Sequence, residues 1–345
     1  MAEISIIGAG SWGTALAIVL TKNGHKVTVW SILEKEVKML SVKREHTDKL
    51  PGVKIPESID FTTDLGEAVT GKDMIVLAVP SPYIRSTAHN MSSMIKDGQL
   101  IVTVSKGIEE NTLMIQTEIV EDEIPQAEVA VLSGPSHAEE VGRGLPTTVV
   151  AGAKSKKTAE KVQSYFMNEV FRVYTSPDML GIELGGSLKN VIALAAGMAD
   201  GLGFGDNTKA ALITRGIKEI GRLALAMGAS AQTLSGLSGI GDLIVTCASK
   251  HSRNRKAGML IGQGYSMQEA MDEVKMVVEG VYSAKAAIAL ARKYDVDMPI
   301  IEQVNEVLFH GQPAKAAVLE LMLRDKKSEN EELMWQEEKN AENQN

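Results

Sequence analysis

The sequence predicts an α/β fold: an N-terminal doubly wound parallel sheet followed by a C-terminal all-helical domain. Three observations carry this expectation. Short β-branched runs alternate with helical patterns from residue 3 to about residue 175, and a glycine-rich turn joins the first run to the first helix. Around Ser176-Pro177 the strands then give way to long Ala- and Met-rich helical stretches.

The predicted strands are Ile4 to Ile7, Val27 to Trp30, Met74 to Val79, Leu100 to Val104, Val129 to Leu132 and Thr147 to Ala151, with a short one near Val170 to Tyr174. Each is followed by turn residues and an amphipathic segment, such as Ser155 to Phe166, which is the pattern of parallel strands joined by crossover helices. In the second half, glycines at 201 to 205, 228, 236 to 241 and 262 to 264 punctuate the helices. The spacings Ile213, Ile217, Ile220, Ala224 and Val281, Ala284, Ile288, Ala291 predict helical stripes facing a core. The boundaries read as 1–178 for the α/β domain and 179–325 for the helical domain. Residues 326–345, rich in Glu, Asn, Lys and Gln, read as a disordered polar tail in which Trp335 receives no role.

Composition narrows the function classes. The 345-residue chain is 44% hydrophobic and carries a formal net charge of −8. That charge offers no general attraction to nucleic acid or to an anionic membrane, so anion binding requires a local basic site. The single Cys247 excludes an internal disulfide framework and fits a reducing compartment, with the cytoplasm as the simplest location. The N-terminus enters a strand without a basic and apolar leader, and no stretch reads as a membrane span, so neither export nor membrane insertion is expected. The histidines, at 25, 46, 89, 137, 251 and 310, lack ligand-like spacing, so no metal is expected.

The turn Gly8-Ala9-Gly10-Ser11-Trp12-Gly13 sits between an apolar strand and the helix Trp12 to Lys22. Gly8 permits the tight turn, Gly10 lets the backbone approach a pyrophosphate, and Gly13 lets the helix pack on the sheet; free amides at the helix N-terminus then face the phosphates. Any tight strand-to-helix turn can mimic the glycine spacing, but its place in a strand, turn, helix, strand unit predicts a nicotinamide dinucleotide. At the end of the second strand an acid would bind a ribose diol and an arginine a 2′-phosphate. Trp30-Ser31-Ile32-Leu33 carries neither, and Glu34 is a diol ligand only if displaced into the next helix, so the cofactor reads as NADP or NAD without preference.

Several polar segments interrupt the apolar pattern at strand ends and helix starts. Lys106, in Ser105-Lys106-Gly107, follows the strand Leu100 to Val104; a lysine in a loop is more often a solvated residue, but this one would overhang the carboxyl edge of the sheet. Ser133-Gly134-Pro135-Ser136 offers backbone and hydroxyl donors at another strand end. Lys189 and Asn190 read as the strongly polar groups of a long apolar helix, and a buried lysine needs a partner or a lowered pKa, which makes Lys189 an acid/base candidate. Asp242 and Thr246 share one helical face. Asp242 could hold Lys189 or serve as a helix N-cap, and spacing alone favours the cap. Ser252-Arg253-Asn254-Arg255 opens a helix after a basic loop with Lys250 and His251, and a guanidinium beside helix N-terminal amides is a phosphate site.

Together these segments resemble the NAD(P)-dependent glycerol-3-phosphate dehydrogenases of bacterial type. The resemblance also rests on Leu50-Pro51-Gly52, Ile55-Pro56, Ala78-Val79-Pro80-Ser81 and Val278-Glu279-Gly280, and it runs in order from residue 3 to about 325. It implies a Rossmann-like dinucleotide domain and the reversible reduction of dihydroxyacetone phosphate to sn-glycerol 3-phosphate, a product that supplies glycerophospholipid synthesis. It implies Lys189 as proton donor and acceptor, with Lys106, Asp242 and Thr246 beside it. Substrate contacts would come from Lys106, Gly134, Ser136, Lys189, Asp242, Ser252, Arg253 and Asn254. Cofactor contacts would come from Gly8, Gly10, Ser11, Trp12, Gly13, Lys106, Ala138, Arg253, Val277 and Glu279. A homodimer through the helical domain is implied by the resemblance only. Two departures stand out: the arginine after the second strand, which many NADP-using members carry, is missing, and Lys49 stands where an aromatic is common. Two alternatives remain open at this point. One is a related two-domain reductase of hydroxy or keto acids, and the other is a non-catalytic dinucleotide sensor.

Overall fold

The computed structural model describes residues 1–329 and 335. Strands β1 (Glu3–Ile7), β2 (Lys26–Trp30), β3 (Asp60–Thr62), β4 (Met74–Leu77), β5 (Leu100–Thr103), β6 (Glu128–Ser133), β7 (Thr147–Ala153) and β8 (Phe171–Ser176) form one sheet in the order β3-β2-β1-β4-β5-β6-β7-β8. Between them run α1 (Ser11–Lys22), α2 (Glu34–Lys43), α3 (Leu65–Val69), α4 (Ile84–Met91), α5 (Gln116–Glu123), α6 (Ala138–Gly142) and α7 (Lys156–Phe166). After β8 the chain is helical: α8 (Met179–Gly201), α9 (Asp206–Ala226), α10 (Ala231–Leu234), α11 (Asp242–Ala248), α12 (Arg253–Gly262), α13 (Met267–Val274), α14 (Glu279–Lys293), α15 (Pro299–Phe309) and α16 (Ala314–Met322).

The inner strands read as unbroken apolar runs because both faces of the sheet are covered. In β4, Met74 and Val76 enter one core cluster while Ile75 and Leu77 enter the other. The chain runs outward from β1 through β2 to β3 and then returns to β4, so strand order reverses between β1 and β4. Open α/β sheets bind ligands outside the carboxyl ends of strands at such a reversal.

Two details depart from the sequence reading. β3 is an edge strand of three residues, too short to leave a periodic signal. β6 and β7 pair antiparallel, whereas the neighbouring pairs are parallel. The connection between them holds only the five-residue α6, which is too short to carry the chain back along the sheet, so β7 returns from the edge that β6 had reached.

α8 is the axis of the helical region, contacted by α9, α11, α12 and α14. It is long and apolar enough to cross a membrane by composition, which the sequence reading had not registered, but 94% of its most apolar window is buried inside the protein. Glycines bring α12 against it: a Cβ on Gly258 would lie 2.1 Å from the Leu194 carbonyl oxygen. Ile220 and Ala224 on α9 and Val281, Ala284 and Ala291 on α14 are buried, while Ile213, Ile217 and Ile288 are half-buried at the margins of their stripes. Asp178 starts α8, accepting from the Gly181 amide at 2.9 Å and from the Ser230 amide at 2.9 Å. Of the tail expected over 326–345, residues 330–334 and 336–345 lie outside the described residues.

Candidate active site

A cleft of about 1090 Å³ runs from the β1–α1 turn to the first turn of α12, lined by residues of both the sheet region and the helical region. At its sheet end the three glycines act differently. Gly8 has φ of +119°, and a Cβ there would lie 2.7 Å from the Ala78 carbonyl carbon. A Cβ on Gly13 would lie 2.0 Å from the Gly8 carbonyl oxygen, so α1 sits directly on the turn, whereas Gly10 faces open space. Gly10 also precedes α1 with no side-chain cap and no acidic residue in the first turn. The first amides of α1 are therefore left for an outside acceptor, and a positive helix end meets the cleft with no carboxylate in its own first turn. That cradle fits a pyrophosphate.

At the other end, two lysines share one carboxylate. Lys106 Nζ donates to Asp242 Oδ2 at 2.7 Å and to the Gly134 carbonyl at 3.0 Å. Lys189 Nζ donates to Asp242 Oδ1 and, at 2.7 Å, to the Thr246 hydroxyl, which itself donates to the Asp242 carbonyl at 2.6 Å. Asp242 is 1% exposed. The arrangement arises because a one-turn π-helical segment, Leu237–Gly241, runs straight into α11. Asp242 is thus the first residue of α11 rather than its cap, and its side chain is free to turn toward α8; the cap that spacing favoured is not formed.

Burial drives the Lys189 pKa down. Asp242 opposes that shift and the Lys106 ammonium assists it, leaving Lys189 near 7. Burial alone would raise the Asp242 carboxyl, but the two ammonium groups overcome this and hold it below its ordinary value. His137 also lines the cleft, and burial followed by the Lys189 charge lowers its pKa.

The remaining candidates fall around this pair. Ser11, Trp12, Ser136, Ala138, Ser252, Arg253, Asn254, Val277 and Glu279 line the cleft with Gly8, Gly10, Lys106, Lys189 and Thr246. Gly13, Gly134 and Asp242 stand behind the lining: Gly13 under the turn, Asp242 beneath the lysines, and Gly134 presenting its carbonyl to Lys106 and to Ser136 Oγ at 2.9 Å. Arg253 is the first residue of α12, whose N-cap Ser252 accepts from the Arg255 amide at 3.2 Å. Its guanidinium makes no hydrogen bond or ion pair among the described residues. Asn254 is structurally committed: its amide donates to Asn190 Oδ1 at 3.0 Å and its oxygen accepts from the Gly280 amide at 2.8 Å, tying α8, α12 and α14 together.

Sequence reasoning missed two groups, Glu183 and Glu36, and one contact of a third. Glu279 was named, but not its tie to the sheet region, where it accepts from the Ser81 amide at 3.2 Å and the Ser81 hydroxyl at 2.5 Å. Glu183, fully buried on α8, accepts from the Thr117 amide at 3.1 Å and from its hydroxyl, and burial pushes its pKa up to about 8. It lies in the same apolar run as Lys189, so α8 holds one more ionisable group than the sequence reading named; the signal was there. Glu36 lines the cleft near the end of β2, where exposed Glu34 does not. Burial raises the Glu36 pKa, yet hydrogen bonds from His46, Lys49 and Ser31 outweigh it and bring it to about 2.

Comparison with known proteins agrees with this architecture. A family model for the N-terminus of NAD-dependent glycerol-3-phosphate dehydrogenase matches residues 3–159, and the model for its C-terminus matches residues 178–319. The NAD(P)+ glycerol-3-phosphate dehydrogenase of Agathobacter rectalis is 71% identical over 335 residues, covering 97% of this chain and 100% of the relative. That of Bacillus subtilis is 52% identical over 337 residues, covering 97% and 98%. A solved glycerol-3-phosphate dehydrogenase from Coxiella burnetii superposes with a TM-score of 0.91 at 38% identity, covering 94% of this chain and 99% of that one. Matched along both its sheet and its helical regions, the chain belongs to the NAD-dependent glycerol-3-phosphate dehydrogenase family.

Proposed function

We propose that this protein catalyses the reversible reduction of dihydroxyacetone phosphate to sn-glycerol 3-phosphate with NADH or NADPH, and that Lys189 is its proton donor and acceptor. One observation carries the residue assignment. A buried ammonium with a pKa near 7, held between Asp242 and Thr246, lines a cleft that begins at an uncapped helix N-terminus and ends at a guanidinium without a partner among the described residues.

A reduced dinucleotide held at its pyrophosphate by the glycine turn would supply the hydride for the substrate carbonyl carbon. The protein's own groups do the rest. Lys189 Nζ gives its proton to the oxygen of the developing alkoxide, and in the reverse direction takes it from the hydroxyl. Asp242 and Thr246 fix the direction of that ammonium, and Lys106 adds positive charge beside the oxygen. Arg253, with Ser252 and the first amides of α12, takes the phosphate. Residues 1–178 hold the dinucleotide and 179–325 supply the proton and the phosphate site, so the reaction takes place where the two regions meet.

Membership of this family leaves the keto-acid reductase and sensor readings behind. We assign the work to the cytoplasm, where a lone buried thiol such as Cys247 stays reduced, and to a homodimer formed through the helical region. The test of the central assignment is Lys189→Ala. Turnover should vanish while fluorescence titration with NADH or NADPH still reports binding; near-normal turnover would overturn the role given to Lys189.

A further inference from the structure

The end of β2 lacks both the acid and the arginine that ordinarily read the ribose 2′-position, yet charge is gathered there by another route. Glu36, in the first turn of α2, folds its carboxylate back to the strand end, where Ser31 Oγ donates to its Oε2 at 2.5 Å. His46 Nε2 lies 3.0 Å from Oε1, and Lys49 Nζ, from the loop after α2, reaches the same oxygen at 2.5 Å. The His46 ring accepts the Lys49 amide at Nδ1, 3.3 Å away, which leaves Nε2 to donate to Glu36. Glu36 and Lys49 form the ion pair of the cluster.

Their exposure differs. The Glu36 side chain is 9% accessible and that of Lys49 33%, and both line the cleft with Ser31. A group arriving at the end of β2 meets the Lys49 ammonium first, with the buried Glu36 carboxylate and Ser31 hydroxyl beneath it. A bare carboxylate would repel a 2′-phosphate, and a bare ammonium would leave a diol without an acceptor; the pair offers something to each.

We infer that the Glu36–Lys49 ion pair reads the ribose 2′-position of the dinucleotide, Lys49 admitting the 2′-phosphate in place of the missing arginine and Glu36 keeping the diol form competitive. This rests on the dinucleotide reading of the cleft given above.

The experiment is fluorescence titration of NADPH and NADH against the wild-type protein, Lys49→Met and Lys49→Arg, with competition by adenosine 2′-phosphate and adenosine 5′-phosphate as a probe independent of turnover. Lys49→Met should weaken NADPH and adenosine 2′-phosphate about tenfold or more while NADH and adenosine 5′-phosphate stay within about threefold, and Lys49→Arg should restore the phosphate forms. Glu36→Gln, where it folds, should move the NADPH-to-NADH ratio the opposite way. Lys49 is partly exposed, so its variants carry the test even if Glu36→Gln does not fold. An unchanged ratio in Lys49→Met, or an equal loss of both coenzymes, overturns the inference. Failure of the wild-type protein to bind either coenzyme overturns instead the reading on which it rests.

Discussion

Asp242 holds two lysines at once, taking Lys106 Nζ on Oδ2 at 2.7 Å and Lys189 Nζ on Oδ1. The carboxylate is what makes a buried ammonium affordable, because a charge removed from water without a partner costs several kcal/mol or shifts its pKa until it neutralises. Asp242→Asn keeps the shape and removes the counter-charge. Lys189 should then lose its proton at lower pH than in the wild type, and turnover in the reduction direction at pH 7 should fall by about a hundredfold or more. The pH–rate profile of the variant checks this. A uniform loss of rate with no displacement of the profile would mean that Asp242 supports the fold rather than the Lys189 proton.

The two reaction directions should have opposite pH dependence. Reduction needs the protonated amine, so its rate should fall as pH rises through about 7; oxidation needs the free amine and should fall as pH drops through the same region. Measuring both directions with one coenzyme separates this from a general loss of folded protein, which would lower both together. Lys106 sets where the crossing lies: its positive charge helps depress Lys189, so Lys106→Met should move the crossing upward as well as slow the reaction.

Much of this site was legible in the sequence because its parts break strong patterns. A lysine in the apolar helix α8, a glycine pair before Asp242, and an arginine opening a helix in an acidic chain each violate the local expectation, and such violations mark functional positions. What was not legible depends on long-range geometry. Asp242 looked like a cap because nothing local announces a π-helical turn at Leu237–Gly241. Glu36 was passed over for Glu34 because the choice of which carboxylate turns inward is made by His46 and Lys49, ten and thirteen residues away. The antiparallel β6–β7 pair escaped because apolar strands buried on both faces carry no mark of direction.

Arg253 should govern substrate affinity more than chemistry. Its guanidinium has no hydrogen-bonding or ion-pair partner among the described residues and stands at the start of α12, where helix amides add to its pull on an anion. A charge-assisted hydrogen bond to phosphate is worth about 1.5–3 kcal/mol, so Arg253→Ala should raise KM for dihydroxyacetone phosphate by roughly ten- to a hundredfold with a much smaller change in kcat. Initial-rate measurements over a wide substrate range check this; an unchanged KM would place the phosphate elsewhere.

Glu183 should make stability fall with pH without taking part in turnover. Its carboxyl is buried on α8 against Thr117, and its folded value of about 8 lies above the ordinary value of 4.5. A group whose folded pKa is raised stabilises fully below the unfolded value, and that contribution is lost as pH rises through the folded value, which sets a window from about 4.5 to 8. Gln in its place is neutral at every pH, and its amide can still accept from the Thr117 amide while donating to the hydroxyl. Glu183→Gln should therefore match the wild type in thermal stability near pH 4.5 and exceed it by a few degrees at pH 8, with kcat nearly unchanged. A constant difference in melting temperature between the two proteins across that window would show that Glu183 is ionised in the folded state.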